Sequence, residues 1–221
     1  MKASACITIC ILIVLILVIY YYTPPRVEID VHGRSWSVID HYDNSTEAAE
    51  MLSRLHARMI KFMRYLKGKY HIDETDDIIA EEGINHLATG DARKIIDTLL
   101  DNYNPDVFYE NDPRSSSDTS YTINKGDSMY VCLRKKKNPM ELEDEELVFF
   151  VMLHECAHIG NYNGWGHDDR FWTVFKFILH EAVESGVYKP IDYGKYPQDY
   201  CGLKVYYLPL NDNTLPNLWE M

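Results

Sequence analysis

His154, Glu155 and His158 stand together as His-Glu-Cys-Ala-His, directly after the apolar run Leu147 to Leu153. On a helix, residues four apart share a face, so the two histidines can present their imidazoles to one metal ion. Glu155, between them, can reach a metal-bound water and take its proton. A catalytic zinc ion uses three protein ligands and leaves a fourth position for water. His167 supplies a third imidazole, because the stretch Gly160 to Gly166 is rich in turn formers and can bring the chain back after the helix. Two histidines and a glutamate in an apolar stretch carry a desolvation cost unless they are paired or bind a metal. The pattern implies Zn2+ at His154, His158 and His167, with Glu155 as general base. The chemistry is that of a zinc hydrolase, with a metallopeptidase the leading reading.

These residues need a frame. Glu141, Glu143, Asp144, Glu145 and Glu146 precede the motif helix, and Asn138-Pro139 reads as its N-cap and first helical position. A second helix is expected from about Asp168 to Ser185, with Asp169, Thr173, Lys176, His180 and Glu184 on its solvent side. On that placement His180 is not a ligand. Upstream, Leu52, Leu55, Met59, Phe62 and Leu66 form one stripe of a helix running from Asn44 or Ser45 to about Lys69. A further helical region covers about Ile78 to Tyr103, broken near Gly90-Asp91. Thr119–Ile123 and Ser128–Leu133 flank a glycine-containing turn and read as a β-hairpin. The second of those strands could pair with an extended substrate. A short strand is expected from Leu203 to Leu208.

Composition narrows the function classes. A net charge of −12 points away from direct nucleic-acid binding, which favours a basic face. The local exception, Arg134 to Lys137, reads as a solvated loop. None of the five cysteines forms a C-x-x-C pair. Cys156 lies off the ligand face of its helix and reads as a packing residue, whereas Cys132 and Cys201 could form a disulfide in an oxidising compartment. Asn44-Ser45-Thr46 is a glycosylation sequon if the domain enters a secretory lumen. Residues 5–22 form an uncharged apolar run. As a helix it covers roughly 27 Å, the order of a bilayer's hydrocarbon core. No cleavage site follows it, so it reads as a single uncleaved transmembrane anchor. The expected organisation is therefore an anchor at 1–25, a linker at 26–43 that is a strand or extended stalk, and a catalytic domain at 44–221.

The order MYVCLRKK, acidic helix start, VMLHECAHI and GHDDRFW resembles the WLM and SprT-like zinc metallopeptidases. Over the longer span that includes TSYTINKGDSMYVCLR and YCGLKVYYLPL, the chain is similar to membrane-anchored WLM-type proteins of large DNA viruses. The resemblance implies an α+β, zincin-like domain with a small antiparallel sheet and a metal-binding helix. It also implies zinc on His154, His158 and His167, Glu155 as base, and a protein or peptide substrate. With the anchor, it places the chain as a single-pass protein of a virion or host internal membrane. Two other classes stand beside it. One is a structural or assembly protein that keeps zinc without turnover; the other is a DNA-linked protease whose apolar N-terminus is incidental.

Overall fold

The computed structural model describes residues 7–16, 25–70, 90–114, 119–164 and 166–219. Helix α1 covers residues 7–16, and its side chains are exposed. Among the described residues no helix is long and apolar enough to cross a membrane. That finding overturns the expected N-terminal transmembrane helix and, with it, the single-pass membrane placement. The rest of the apolar run lies outside the described residues, as does the helix expected over 78–89.

The remainder is α+β, with four small sheets and four helices among the described residues. Strands β1 (Arg26–Val31) and β2 (Arg34–Ile39) form an antiparallel hairpin around His32-Gly33, both at positive φ. Trp36, Val38 and Ile39 of β2 are buried in the common core, so the segment expected as a linker belongs to the domain. Helix α2 (Ser45–Tyr70) buries the predicted stripe Leu52, Leu55, Met59, Phe62 and Leu66 completely. Helix α3 (Gly90–Asn102) adds Ile95, Ile96 and Leu99.

Strands β3 (Phe108–Glu110), β4 (Tyr121–Ile123) and β5 (Ser128–Val131) make a mixed sheet in the order β3-β5-β4. The predicted hairpin is β4–β5, and β3 joins β5 in parallel. Strand β5 is therefore interior, and β3 and β4 are the edge strands of this sheet. Next come β6 (Arg134–Lys135) and β7 (Asn138–Leu142), paired antiparallel. Asn138-Pro139 thus begins a strand, not a helix. The motif helix α4 (Glu145–Gly160) starts later, capped by Asp144, whose carboxylate accepts the N–H groups of Glu146 and Leu147 at 3.0 and 3.1 Å.

Helix α4 is apolar nearly all round because it is buried nearly all round, touching α2, α3, α5 and the sheet. Helix α5 (Asp169–Glu184) follows, with Asp168 as its N-cap. Its expected solvent side is partly covered by the C-terminal tail. Lys176 is buried, donating to the carbonyls of Asp212 and Leu215, and His180 stacks on Trp219 with ring centroids 3.8 Å apart. Strands β8 (Gln198–Tyr200) and β9 (Leu203–Val205) form a short hairpin ahead of that tail. A disulfide joins Cys132 to Cys201, fastening that hairpin to the end of β5.

Arg134, expected in a solvated basic loop, is fully buried. Its guanidinium donates to Glu110 at 2.5 Å, to the Pro139 carbonyl at 3.1 Å and to the amide oxygen of Asn44. The other carboxylate oxygen of Glu110 accepts the Ile39 N–H at 2.7 Å. This one ion pair therefore joins the N-terminal hairpin, the start of α2, the mixed sheet and β7. Asn44 also donates to the Met140 carbonyl at 2.8 Å, so both ends of the sequon amide are committed to packing.

Candidate metal centre

The structure brings the three predicted histidines to one point. Nε2 of His154 lies 3.2 Å from Nε2 of His158 and 2.9 Å from Nε2 of His167, and the last two atoms are 3.1 Å apart. His154 and His158 meet because α4 carries them one turn apart. His167 arrives by a different route. Helix α4 ends at Gly160, the chain turns through Asn161 to Gly166, and Gly166 takes a left-handed φ of +73° just before His167. Asp168 then starts α5.

The donor set fits a divalent ion such as zinc. Nitrogen ligands about 2.0–2.1 Å from a tetrahedral ion lie roughly 3.3 Å from one another, close to the observed triangle. Neutral imidazole is the form that binds a metal, and this site favours it. Burial, followed by the charges of the other two rings, pushes His154 down to about 3. Burial, then His167 and Lys125, pushes His158 down to about 4. His167 is lowered by burial alone and is the most exposed of the three. Phe171 and Phe175 pack on the imidazoles, with centroids 4.8 and 5.1 Å from that of His154, so the rings are set in an aromatic shell.

Glu155 is buried and lines the same cleft. Burial pushes its carboxyl up to about 8, against the opposing pull of a hydrogen bond from the Thr122 N–H. That bond joins the proposed base to β4 and leaves no trace in the sequence, since any residue at position 122 carries an N–H. Cys156 is buried on the other side of α4, and His180 lies outside the histidine cluster.

The cleft has a volume of about 970 Å³. One wall is the open side of the mixed sheet, Thr119 to Thr122. The facing wall is apolar, built from Phe150, Val151, Trp172, Phe175, Leu203 and Val205. The strand expected to meet a substrate, Ser128 to Leu133, contributes β5, which is enclosed between β3 and β4; the strand that lines the cleft is β4. Tyr206 and Tyr207 also line the cleft; the Tyr207 hydroxyl is bound to Asp212 at 2.6 Å, while Tyr206 is exposed. Beneath the metal loop, Arg170 donates to both oxygens of Asp91 at 3.0 and 3.1 Å, and the Tyr162 hydroxyl donates to the same carboxylate at 2.5 Å. The Arg170 guanidinium holds the Asp91 carboxyl below its ordinary value.

Similar chains occur in large DNA viruses. Uncharacterized protein R325 of Acanthamoeba polyphaga mimivirus is 28% identical over 179 residues, 81% of each chain. Uncharacterized protein 042R of Invertebrate iridescent virus 3 is 33% identical over 84 residues, and uncharacterized protein 136R of Invertebrate iridescent virus 6 is 36% identical over 70. Those two matches take in 38% and 31% of this chain, and 50% and 38% of the respective relatives. No protein-family model and no solved structure matches the chain.

Proposed function

We propose that this chain is a zinc-dependent metallopeptidase of the zincin type, similar to the WLM and SprT-like enzymes, that hydrolyses peptide bonds in protein substrates. One observation carries the reading. The Nε2 atoms of His154, His158 and His167 converge to within 3.2 Å of one another in a cleft that also holds the Glu155 carboxyl and the free side of β4. When bound, a zinc ion supplies a Lewis acid, a water of lowered pKa, and a positive charge that favours the Glu155 carboxylate despite its burial.

The chain's own residues do the rest. Glu155 takes the proton of the attacking water and returns it to the leaving amine. The Thr122 N–H favours the charged form of that carboxylate. The free side of β4 offers backbone groups to an extended peptide, which adds as a further strand. Trp172, Phe175, Phe150 and Val151 exclude water from one side of the reacting bond.

The test combines metal content with turnover. Purified wild type is expected to hold about one zinc per chain and to cleave members of a broad peptide library. His167→Ala is expected to lose most of the metal while His180→Ala keeps it. Zinc retained with no cleavage of any peptide would favour a structural zinc protein. Metal lost from His180→Ala but not from His167→Ala would refute the ligand assignment.

A further inference from the structure

The loop between His158 and His167 belongs to neither helix, yet it must hold an imidazole to within a few tenths of an ångström. Its first residue is fixed by the end of α4, where the Asn161 N–H donates to Ala157 at 2.9 Å. Its last is fixed by the Asp168 cap of α5. Tyr162 is tied to Asp91 on the side of α3. One further support crosses from a different element. Nζ of Lys125, in the β4–β5 turn, donates to the carbonyl of Asn161 at 2.8 Å and to that of Gly164 at 3.2 Å.

We propose that Lys125 is a positioning residue for the third metal ligand, holding the His158–His167 loop so that His167 closes the imidazole triangle. The inference rests on the reading of that triangle as a metal site. Three features set Lys125 apart from an ordinary surface lysine. Its ammonium meets two backbone carbonyls of one loop, a contact no side-chain change in that loop can remove. It is partly buried, at the rim of the cleft. Its own turn is rigidly supported: Asn104 donates to the Gly126 carbonyl at 3.1 Å, and Gly126, at a φ of +125°, lies so close to the Asn102 carbonyl that a Cβ there would collide. Lys125 thus transfers the fixed position of α3 and the β4–β5 turn to the metal loop. The same turn ends β4, so the strand offered to substrate and the loop bearing His167 are braced as one body.

The experiment is a zinc-affinity series by competition with a chromophoric chelator on the full chain. Lys125→Met keeps the length of the side chain and the backbone demand at this position, where φ is +56°, and removes only the charge and its hydrogen bonds. It is expected to bind zinc in unchanged stoichiometry but roughly 10–100-fold more weakly, the usual cost of losing a group that orients a ligand. Lys125→Arg is expected to recover most of that loss. Metal-free Lys125→Met should melt close to metal-free wild type, which separates positioning from general stability. Wild-type affinity in a folded Lys125→Met overturns the inference while leaving the metal site intact. If Lys125→Met does not fold, the comparison passes to Lys125→Gln and Lys125→Arg: weaker binding by Gln alone supports the role, and equal affinities overturn it. Wild type that takes up no zinc refutes the metal site and the role of Lys125 together.

Discussion

Two clusters of polar groups in this domain are built on opposite principles. Around Arg134, guanidinium hydrogens meet the Glu110 carboxylate, the Pro139 carbonyl and the Asn44 amide, and Glu110 also accepts the Ile39 N–H. Burial pushes the Glu110 carboxyl up, and the Arg134 guanidinium pulls it back down. Positive charge faces negative charge, and the cluster is neutral within itself. Around His154, three imidazoles of the same kind face one another, and the neighbouring carboxyl of Glu155 is pushed up with a single N–H to oppose the shift. The first arrangement balances its own charge, although Nη2 of Arg134 is left without a hydrogen-bond partner, and serves architecture. The second gathers three donor groups that could hold a metal ion, and that asymmetry separates a candidate site from a staple.

The sharpest test of the contrast changes chemistry without changing shape. Glu155→Gln is expected to keep its fold and its zinc while peptide cleavage falls by about 10² to 10⁴-fold, the usual contribution of a general base. Metal analysis and turnover on the same preparation check it, and a Gln variant as fast as wild type would refute the proposed mechanism. The architectural cluster should answer in the other currency. Arg134→Met strands the buried Glu110 carboxyl and is expected to cost about 3–5 kcal/mol of stability. Replacing both partners, with Glu110→Leu added, should recover part of that, because no unpaired charge remains. Denaturant unfolding measures both variants, and an Arg134→Met chain as stable as wild type would remove the distinction between the clusters.

The disulfide predicts a smaller, condition-dependent effect. Cys132 and Cys201 close a loop with a sequence separation of 69. Chain-entropy arguments put the stabilisation at about 4 kcal/mol, with about 2–4 typical of measured cases. The double variant Cys132→Ser, Cys201→Ser should melt at the temperature of the reduced wild type and below that of the oxidised one. Equal melting of oxidised and reduced wild type would show that the link adds nothing. The smallest effect belongs to His180→Ala. It removes a ring stacked on Trp219, worth about 1 kcal/mol, and should leave zinc content unchanged.

Several parts of this arrangement were open to reading along the chain. Helices α2, α3 and α5 announce themselves by helical spacing of apolar residues, α4 by the apolar run that leads into its two histidines, and the β4–β5 hairpin by strand formers around Lys125-Gly126. Other features misled for identifiable reasons. Asn138-Pro139 has the residue types of a helix start, yet pairing with β6 draws it into a strand, and Asp144 takes the capping role. The acidic run that follows is divided among partners far away in sequence. Glu145 and Glu146 meet Arg54 and Arg58, while Glu143 accepts the Cys201 N–H at 2.9 Å. Arg134 opens a basic run and looks like solvent-facing surface, but Glu110 of the mixed sheet pairs with it in the interior. The apolar stretch at the N-terminus suggested a membrane span through its composition, whereas no helix among the described residues is long and apolar enough to cross a membrane.

Local order in the chain determined which residues could do chemistry. Helical periodicity alone aligns His154 with His158 and sets Glu155 beside them, because both relations are internal to one helix. Tertiary structure decided everything that joins separate elements: His167 folded back onto that helix, the Thr122 N–H beside Glu155, β4 rather than β5 as the edge strand on the cleft, and Lys125 clasped to the loop between His158 and His167. Those contacts run through backbone groups and long-range packing, which residue identity does not encode position by position.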